Sequence, residues 1–241
     1  MAEVSVPADT AKARAGRGKA RDLVEIAVAY ALILLVIWTP RPWQRYLWPI
    51  AVAAVVVILC ISFDGLEAMG LRTANFRRSL WIAGAALLMA GAAVLVSLKL
   101  HTLRLPDGVL AFIGTYCAYA VWSGVQQFLL QGVFLLRFLR LIPEPRRAAL
   151  AAAALFAAAH LPSPILTPIT LIWGFAACLL FLHYRNLYPL ALAHAILGVT
   201  VAVTIPGPVD HNMRVGLGYL TYSQHRHAHR PYPLTHPLPQ P

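Results

Sequence analysis

Residues 165–205 read ILTPITLIWGFAACLLFLHYRNLYPLALAHAILGVTVAVTI. This stretch holds two apolar runs, 165–184 and 187–205, which are separated by Arg185 and Asn186. An α-helix needs about 20 mostly apolar residues to cross a bilayer, and each run is close to that length. The stretch therefore predicts two consecutive membrane-spanning helices.

Long apolar runs also fill the chain upstream of this stretch. Of its 241 residues, 59% are hydrophobic and 12% are charged, whereas a soluble domain has a charged fraction of about 25%. Five further runs are candidate spans: 23–38, 43–63, 80–100, 108–139 and 148–161. The run 108–139 is too long for one simple span, so it tilts, breaks near Ser123 and Gly124, or continues as an interfacial helix. We predict an all-α, polytopic transmembrane helical bundle of about seven to eight membrane helices.

The chain divides into three regions. Residues 1–22 form a basic N-terminal tail, residues 23–206 a transmembrane helical domain, and residues 207–241 a His- and Pro-rich C-terminal tail. With seven spans, 13 of the 20 Lys and Arg residues fall on the N-terminal side of the membrane and 7 on the other. The positive-inside rule then predicts a cytoplasmic N-terminus. We expect an integral membrane protein of the bacterial inner (cell) membrane.

The charge distribution indicates which partners the surface meets. The net charge is +11, and the basic residues are spread over the loops. This spread suits anionic lipid headgroups, so we expect membrane lipid as a partner and no nucleic acid. Glu25, near the cytoplasmic end of the first span, is the carboxylate closest to membrane depth. We expect it at the interface, because charged groups near helix ends reach water.

Polar side chains interrupt three of the apolar runs. Gln126, Gln127 and Gln131 lie in one run, His160 ends another, and His194 lies in a third. A polar side chain in hydrocarbon costs free energy unless it meets a partner or a water-filled cavity. Residues four positions apart share one face of a helix, so Gln127 and Gln131 stack. We therefore predict that these amides and imidazoles converge on one buried polar site.

The same residues fall into three short motifs, which are QQFLLQG (126–132), FAAAH (156–160) and HAILG (194–198). In order, spacing and apolar setting they resemble the CAAX prenyl protease type II family, also called the CPBP or Abi family of intramembrane metalloproteases. That family's motifs read Glu-Glu-x-x-x-Arg, Phe-x-x-x-His and His-x-x-x-Asn on separate helices. The resemblance covers roughly residues 80–205, and RNLYP (185–189) is similar to the family's lead-in to the third motif.

The resemblance implies an intramembrane endopeptidase that cleaves a membrane-anchored peptide or protein substrate. It places Gln126, Gln127, His160 and His194 at the family's catalytic positions, with Gln131 and Gly198 in support. It also implies a divalent metal cofactor such as zinc, for which His160 and His194 are the candidate ligands. In the family, the third motif's His and Asn are thought to stabilise the oxyanion.

This chain departs from the family at every charged motif position. Gln126 and Gln127 replace two glutamates, Gln131 replaces an arginine, and Gly198 replaces an asparagine. A neutral amide does not act as a general base near neutral pH, and it is a poorer ligand than a carboxylate for a divalent ion. All three charged positions of the family's first motif are therefore neutral in this chain.

Three functions remain open from the sequence. In the first, the chain is a peptidase in which His160 is the base or a metal ligand and His194 steadies the oxyanion. In the second, it is a non-catalytic relative that binds a peptide, a lipid or a partner membrane protein. In the third, it is a haem-carrying membrane subunit with His160 and His194 as axial ligands.

Overall fold

The structure, a computed structural model, describes residues 18–222 of the chain. Every regular element in this part is helical, which confirms the all-α prediction. The elements in chain order are α1 Lys19–Ile37, α2 Arg41–Ile61, α3 Phe76–Ser79, α4 Trp81–Lys99, α5 Val109–Phe128, a π-helical segment Leu129–Leu135, α6 Leu136–Leu141, α7 Pro145–Ala158, α8 Leu166–Tyr184, α9 Tyr188–Thr204, α10 Gly207–Asp210 and α11 Gly216–Leu220.

Four helical stretches of the described part are long and apolar enough to cross a membrane. They are Arg41–Ile61, Phe76–Lys99, Val109–Leu141 and Leu166–Tyr184. The apolar helix α9 is shorter, with 17 residues. Large apolar side chains cover the outside of the bundle, where Leu88 is 79% and Leu110 86% exposed. Such a surface fits contact with lipid, and the chain is an integral membrane protein.

The run 108–139 forms one continuous helical rod from Val109 to Leu141. Helix α5 passes through Ser123 and Gly124 without a break. The irregularity lies further on, in the π-helical segment, which contains Gln131. A π-helical turn inside an α-helix is rare and often marks a functional site. The segment reads LLQGVFL and is apolar on almost every side, so the sequence pattern does not reveal the change in helical geometry.

Small residues bring α7 close to α8. Ala149, Ala152 and Ala153 of α7 are completely buried. A side chain added at Gly174 of α8 would lie 3.5 Å from the Cβ of Ala153 and 3.2 Å from the ring of Phe156. Backbones can approach this closely in lipid only where such small residues meet. The tight packing fixes the position of the turn that follows α7 and carries His160.

The segment after residue 206 folds back onto the bundle. It forms α10 and α11, and the Gly216 amide donates to the Leu161 carbonyl over 2.8 Å. The part of the predicted tail up to residue 222 thus has a helical structure. The rest of that tail, 223–241, and residues 1–17 of the basic N-terminal tail lie outside the described residues. The boundaries of the three regions stay a prediction.

A buried ionic cluster ties α1 to α6 at the N-terminal end of the bundle. Arg137 is completely buried, and its Nε donates to Glu25 over 3.0 Å. Arg140 pairs with Asp22 at 3.0 Å and with Asp64 at 2.8 Å. Glu25 is only 8% exposed, so the expectation that this carboxylate reaches water was wrong. Arg137 of α6 and Arg21 of α1 compensate its charge inside the protein, as buried charges require.

Candidate functional site

A cavity of about 420 Å³ lies between α5, α8 and α9. Its wall includes polar side chains and one glycine, which are Tyr119, Gln126, His160, Trp173, His194 and Gly198. Four of the six residues predicted from the motifs therefore share one cavity. The other two, Gln127 and Gln131, are completely buried outside its wall.

His194 is held by a chain of two amides. The Gln131 Nε2 donates to the Gln127 Oε1 over 3.3 Å, and the Gln127 Nε2 meets the His194 Nδ1 at 2.9 Å. Because the amide nitrogen of Gln127 can only donate, the His194 Nδ1 accepts. A neutral imidazole with an accepting Nδ1 carries its proton on Nε2. His194 is therefore a hydrogen-bond donor at Nε2, and its side chain lines the cavity.

In His160 the donor and acceptor nitrogens of the ring are exchanged relative to His194. It follows the end of α7, and its Nδ1 lies 2.8 Å from the Phe156 carbonyl oxygen. A carbonyl oxygen can only accept, so Nδ1 carries the proton of the neutral ring and Nε2 keeps its lone pair. His160 can therefore accept a proton at Nε2. The cavity thus combines a proton acceptor on His160 with a donor on His194.

Aromatic rings fix the position of both imidazoles. Phe156 packs edge-on against His160, with centroids 4.8 Å apart, and against His194 at 5.9 Å. Trp173 of α8 packs against His194 at 6.2 Å. Such edge-to-face pairs add roughly 0.5–1.5 kcal/mol beyond the burial of their area. The Phe-x-x-x-His spacing in FAAAH therefore has a structural use, because it packs one phenyl ring against both histidines.

Gln126 lies on the cavity side of α5. It lines the cavity, while its neighbour Gln127 faces the His194 ring. Adjacent residues on a helix point about 100° apart, which explains this division. The two glutamines that the sequence treats as a pair thus take different positions. Gln126 faces the cavity space, and Gln127 orients an imidazole.

Sequence reasoning missed Tyr119. A Cβ built on Gly198 would lie 2.5 Å from the Tyr119 Cζ and 2.6 Å from its Cε1. The tip of the phenol therefore fills the volume that a side chain at residue 198 would need. The replacement of asparagine by glycine was the available signal, because it leaves a space that another residue must fill. Nothing in the spacing of the motifs connects that space to Tyr119.

The residues present do not fit the divalent metal that the resemblance implies. Zinc sites usually have three or four protein ligands. Within residues 18–222, no group of three or more His, Cys, Asp and Glu side chains is placed to hold a metal ion. Of the two candidate ligands, His194 uses Nδ1 for Gln127 and carries a proton on Nε2. Of the two histidines, only His160 has an unprotonated Nε2 that could bind a metal ion.

Comparison with protein-family models matches residues 106–200 to the family described as type II CAAX prenyl endopeptidase Rce1-like. The match confirms the resemblance drawn from the three motifs. It covers less than half of the chain and includes α5, the π-helical segment, α7, α8 and most of α9. The comparisons with curated proteins and with solved structures returned no match.

Proposed function

We propose that the chain is an intramembrane endopeptidase of the CAAX type, in which an imidazole replaces the usual carboxylate as the base. The observation that carries this proposal is the opposite polarity of two imidazoles in one cavity. His160 presents a lone pair and His194 a proton. The substrate class is a membrane-anchored peptide or protein.

The proposed reaction is hydrolysis of one peptide bond. A water oxygen attacks the carbonyl carbon while the His160 Nε2 takes a proton from that water. The electron pair of the carbonyl double bond moves onto the oxygen, which accepts a hydrogen bond from the His194 Nε2–H. The double bond then re-forms, the C–N bond breaks, and the His160 imidazolium returns the proton to the leaving nitrogen.

The glutamines have supporting roles in this proposal. Gln126 lines the cavity, where its amide oxygen can accept the second hydrogen of the attacking water. Gln127 and Gln131 act through His194, because their hydrogen bonds hold its proton on Nε2. No step passes through a metal, since the side chains of the cavity do not supply a ligand set. Metal analysis of the purified protein tests this part directly.

The experiment compares histidine variants in lipid vesicles. Purified protein is mixed with a lipid-anchored fluorogenic peptide, and cleavage is followed with and without a chelator. His160→Ala should lower kcat at least 100-fold, because a general base contributes roughly 10²–10⁴-fold. His183→Ala is the matched control, since His183 is exposed at the end of α8. Equal activity of wild type and His160→Ala would refute the proposal.

A second candidate function is a non-catalytic relative that binds a peptide, a lipid or a partner membrane protein. One observation favours it, because the motif glutamates that would serve as base are glutamines here. The triple variant Gln126→Glu, Gln127→Glu, Gln131→Arg separates the two. If only this variant cleaves substrate, and only with added metal, the wild type is the binding protein. His160-dependent cleavage by the wild type contradicts that alternative.

The haem alternative has less support from the site. Phe156 packs edge-on against both imidazoles. A porphyrin held by both histidines would need room beside the two rings, and the phenyl ring occupies part of that room. Haem-supplemented protein should therefore show no Soret absorbance with bis-histidine character, which absorption spectroscopy checks.

We also propose the bacterial inner membrane as the location, with a cytoplasmic N-terminus. The support is the excess of Lys and Arg on the N-terminal side of the spans, together with the positive-inside rule. Cysteines introduced at Glu67 and at Asp107 test the orientation, because these residues lie in loops at opposite ends of α4. A membrane-impermeant maleimide added to intact cells should label only the Asp107 position.

A further inference from the structure

Gly198 and His194 occupy one face of α9. They are four residues apart, so they lie one turn from each other, and both line the cavity. A side chain at Gly198 would overlap the phenol of Tyr119, whose Cζ lies 2.5 Å from the position of the missing Cβ. The Tyr119 hydroxyl thus occupies the space that a side chain on residue 198 would enter. Tyr119 and the proton-donating imidazole of His194 line the same cavity.

We propose that Tyr119 is a catalytic residue whose hydroxyl donates a hydrogen bond to the oxygen of the scissile carbonyl. This inference rests on the proposed function. In the tetrahedral intermediate, that oxygen would accept from the His194 Nε2–H and from the Tyr119 O–H. The tyrosine transfers no proton. It stabilises the charge that develops when water attacks, and so adds a second donor to the site.

The placement of Tyr119 on α5 supports this role. Tyr119, Trp122 and Gln126 follow one another at helical spacing and all line the cavity. The phenol enters from α5, whereas His194 enters from α9. Donors from two different elements can converge on one substrate oxygen, as an oxyanion site requires. Both donors lie within long helices, so the proposed site needs no helix rearrangement during the reaction.

A purely structural role for Tyr119 gives a different expectation. If the ring only fills the space beside Gly198, then Tyr119→Phe should keep activity, because phenylalanine preserves the ring. If the hydroxyl is the donor, Tyr119→Phe should lower kcat by about 10- to 1,000-fold. KM and the melting temperature should change little. Tyr30→Phe is the matched control, since Tyr30 lies in α1 outside the cavity wall and packs against Phe134.

A rescue experiment tests the position of the donor. Tyr119→Ala should abolish most activity, and Gly198→Asn alone should do the same because its side chain would strike the phenol. In the double variant the asparagine enters the vacated space, and its amide N–H replaces the hydroxyl as donor. We expect at least a tenfold gain in kcat over Tyr119→Ala. Gly198→Leu in the same background fills the space without a donor and should give no gain.

The outcomes separate this inference from the function on which it rests. A wild type that shows no His160-dependent cleavage overturns both. A His160-dependent wild type with an equally active Tyr119→Phe variant overturns the tyrosine assignment alone. Equal rescue by Gly198→Asn and Gly198→Leu also overturns it. Activity would then depend on filling the space beside residue 198 and not on a hydrogen-bond donor there. A lower kcat of Tyr119→Phe, together with rescue by Gly198→Asn and no rescue by Gly198→Leu, supports the tyrosine assignment.

Discussion

At the scale of single residues, the site depends on which nitrogen of each imidazole carries the proton. His160 is set by a backbone carbonyl, and His194 by the amide of Gln127. The proton of His194 is easier to move by mutation, because the Gln127 amide can be exchanged for a side chain of the same shape and opposite hydrogen-bonding character.

Gln127→Glu is the exchange that tests this dependence. An ionised carboxylate only accepts, so a neutral His194 ring would have to carry its one proton on Nδ1, and Nε2 would lose it. The oxyanion donor then disappears without a change in volume, and we expect kcat to fall by about 10- to 1,000-fold. Activity in vesicles measures the loss, and the ¹⁵N chemical shifts of the His194 ring report the position of the proton.

Gln44→Glu is the matched control for this exchange. Gln44 lies at the start of α2, and its amide donates to the Val36 carbonyl over 2.9 Å. The same chemical change is made there, outside the wall of the cavity, so activity should be unaffected. Full activity of Gln127→Glu, together with an unchanged His194 spectrum, would contradict the assigned tautomer.

The residues of the site were predictable to different degrees. Gln126, His160 and His194 are polar groups in apolar runs, and the cost of leaving them in lipid predicts that they meet. The separate positions of Gln126 and Gln127 follow from helical geometry only once the neighbouring helix is known. Tyr119 was not predictable, because a tyrosine in an apolar helix is ordinary. Its importance depends on a glycine in another helix.

At the scale of elements, the π-helical segment is held by a buried arginine. The Arg137 Nη1 donates to the carbonyls of Gly132 at 2.8 Å and Val133 at 3.3 Å, and its Nε pairs with Glu25. The side chain therefore satisfies carbonyls within the segment and binds it to α1. Gln131, which orients Gln127, belongs to the same segment.

Glu25→Gln should destabilise the bundle and weaken the site together. It leaves the Arg137 cation buried with less compensating charge, and removing one partner of a buried pair costs about 3–5 kcal/mol. We expect a clear fall in the melting temperature in detergent and a lower kcat. Glu67→Gln is the control, because the Glu67–Arg72 pair is more than half exposed and such pairs contribute little.

A second variant shows whether the effect comes from the uncompensated charge. In Glu25→Gln combined with Arg137→Met, the buried cation is gone, so part of the lost stability should return. The prediction fails if Glu25→Gln melts at the same temperature as Glu67→Gln. It also fails if the double variant is less stable by the full sum of the two single changes, because partners in one network should not act additively.

The ion pairs of this cluster could not be predicted from the sequence. The acids lie near the ends of α1 and α2, and the arginines lie in α6. Charge spacing along one helix predicts contacts three or four residues apart, and none of these pairs except Arg21–Glu25 has that spacing. Hydropathy therefore predicted the helical membrane bundle, while the contacts that join its helices depend on the fold.

At the scale of the whole molecule, the segment after α9 covers the cavity. Asn212, Met213 and Val215 line its wall, at the end of the bundle where α1 terminates. Gly216 anchors this cover through its amide, which donates to the Leu161 carbonyl. It adopts φ +54°, and an added Cβ would lie 2.7 Å from the Ile37 carbonyl oxygen. A side chain at this position is therefore opposed both by the backbone conformation and by the lack of space.

Gly216→Ala should loosen the cover and make the cavity easier to reach. The strain disfavours the anchored conformation by roughly 1–2 kcal/mol, which raises the open fraction by about tenfold. A cysteine placed at Thr170 measures this, because that side chain is buried in the cavity wall and can react with a water-soluble maleimide only when the cavity opens. Labelling should be faster in Gly216→Ala than in Gly218→Ala, where the nearest atom is 3.9 Å away. Equal labelling rates would mean that access to the histidines does not pass beneath this segment, and the route would then lie between the membrane helices.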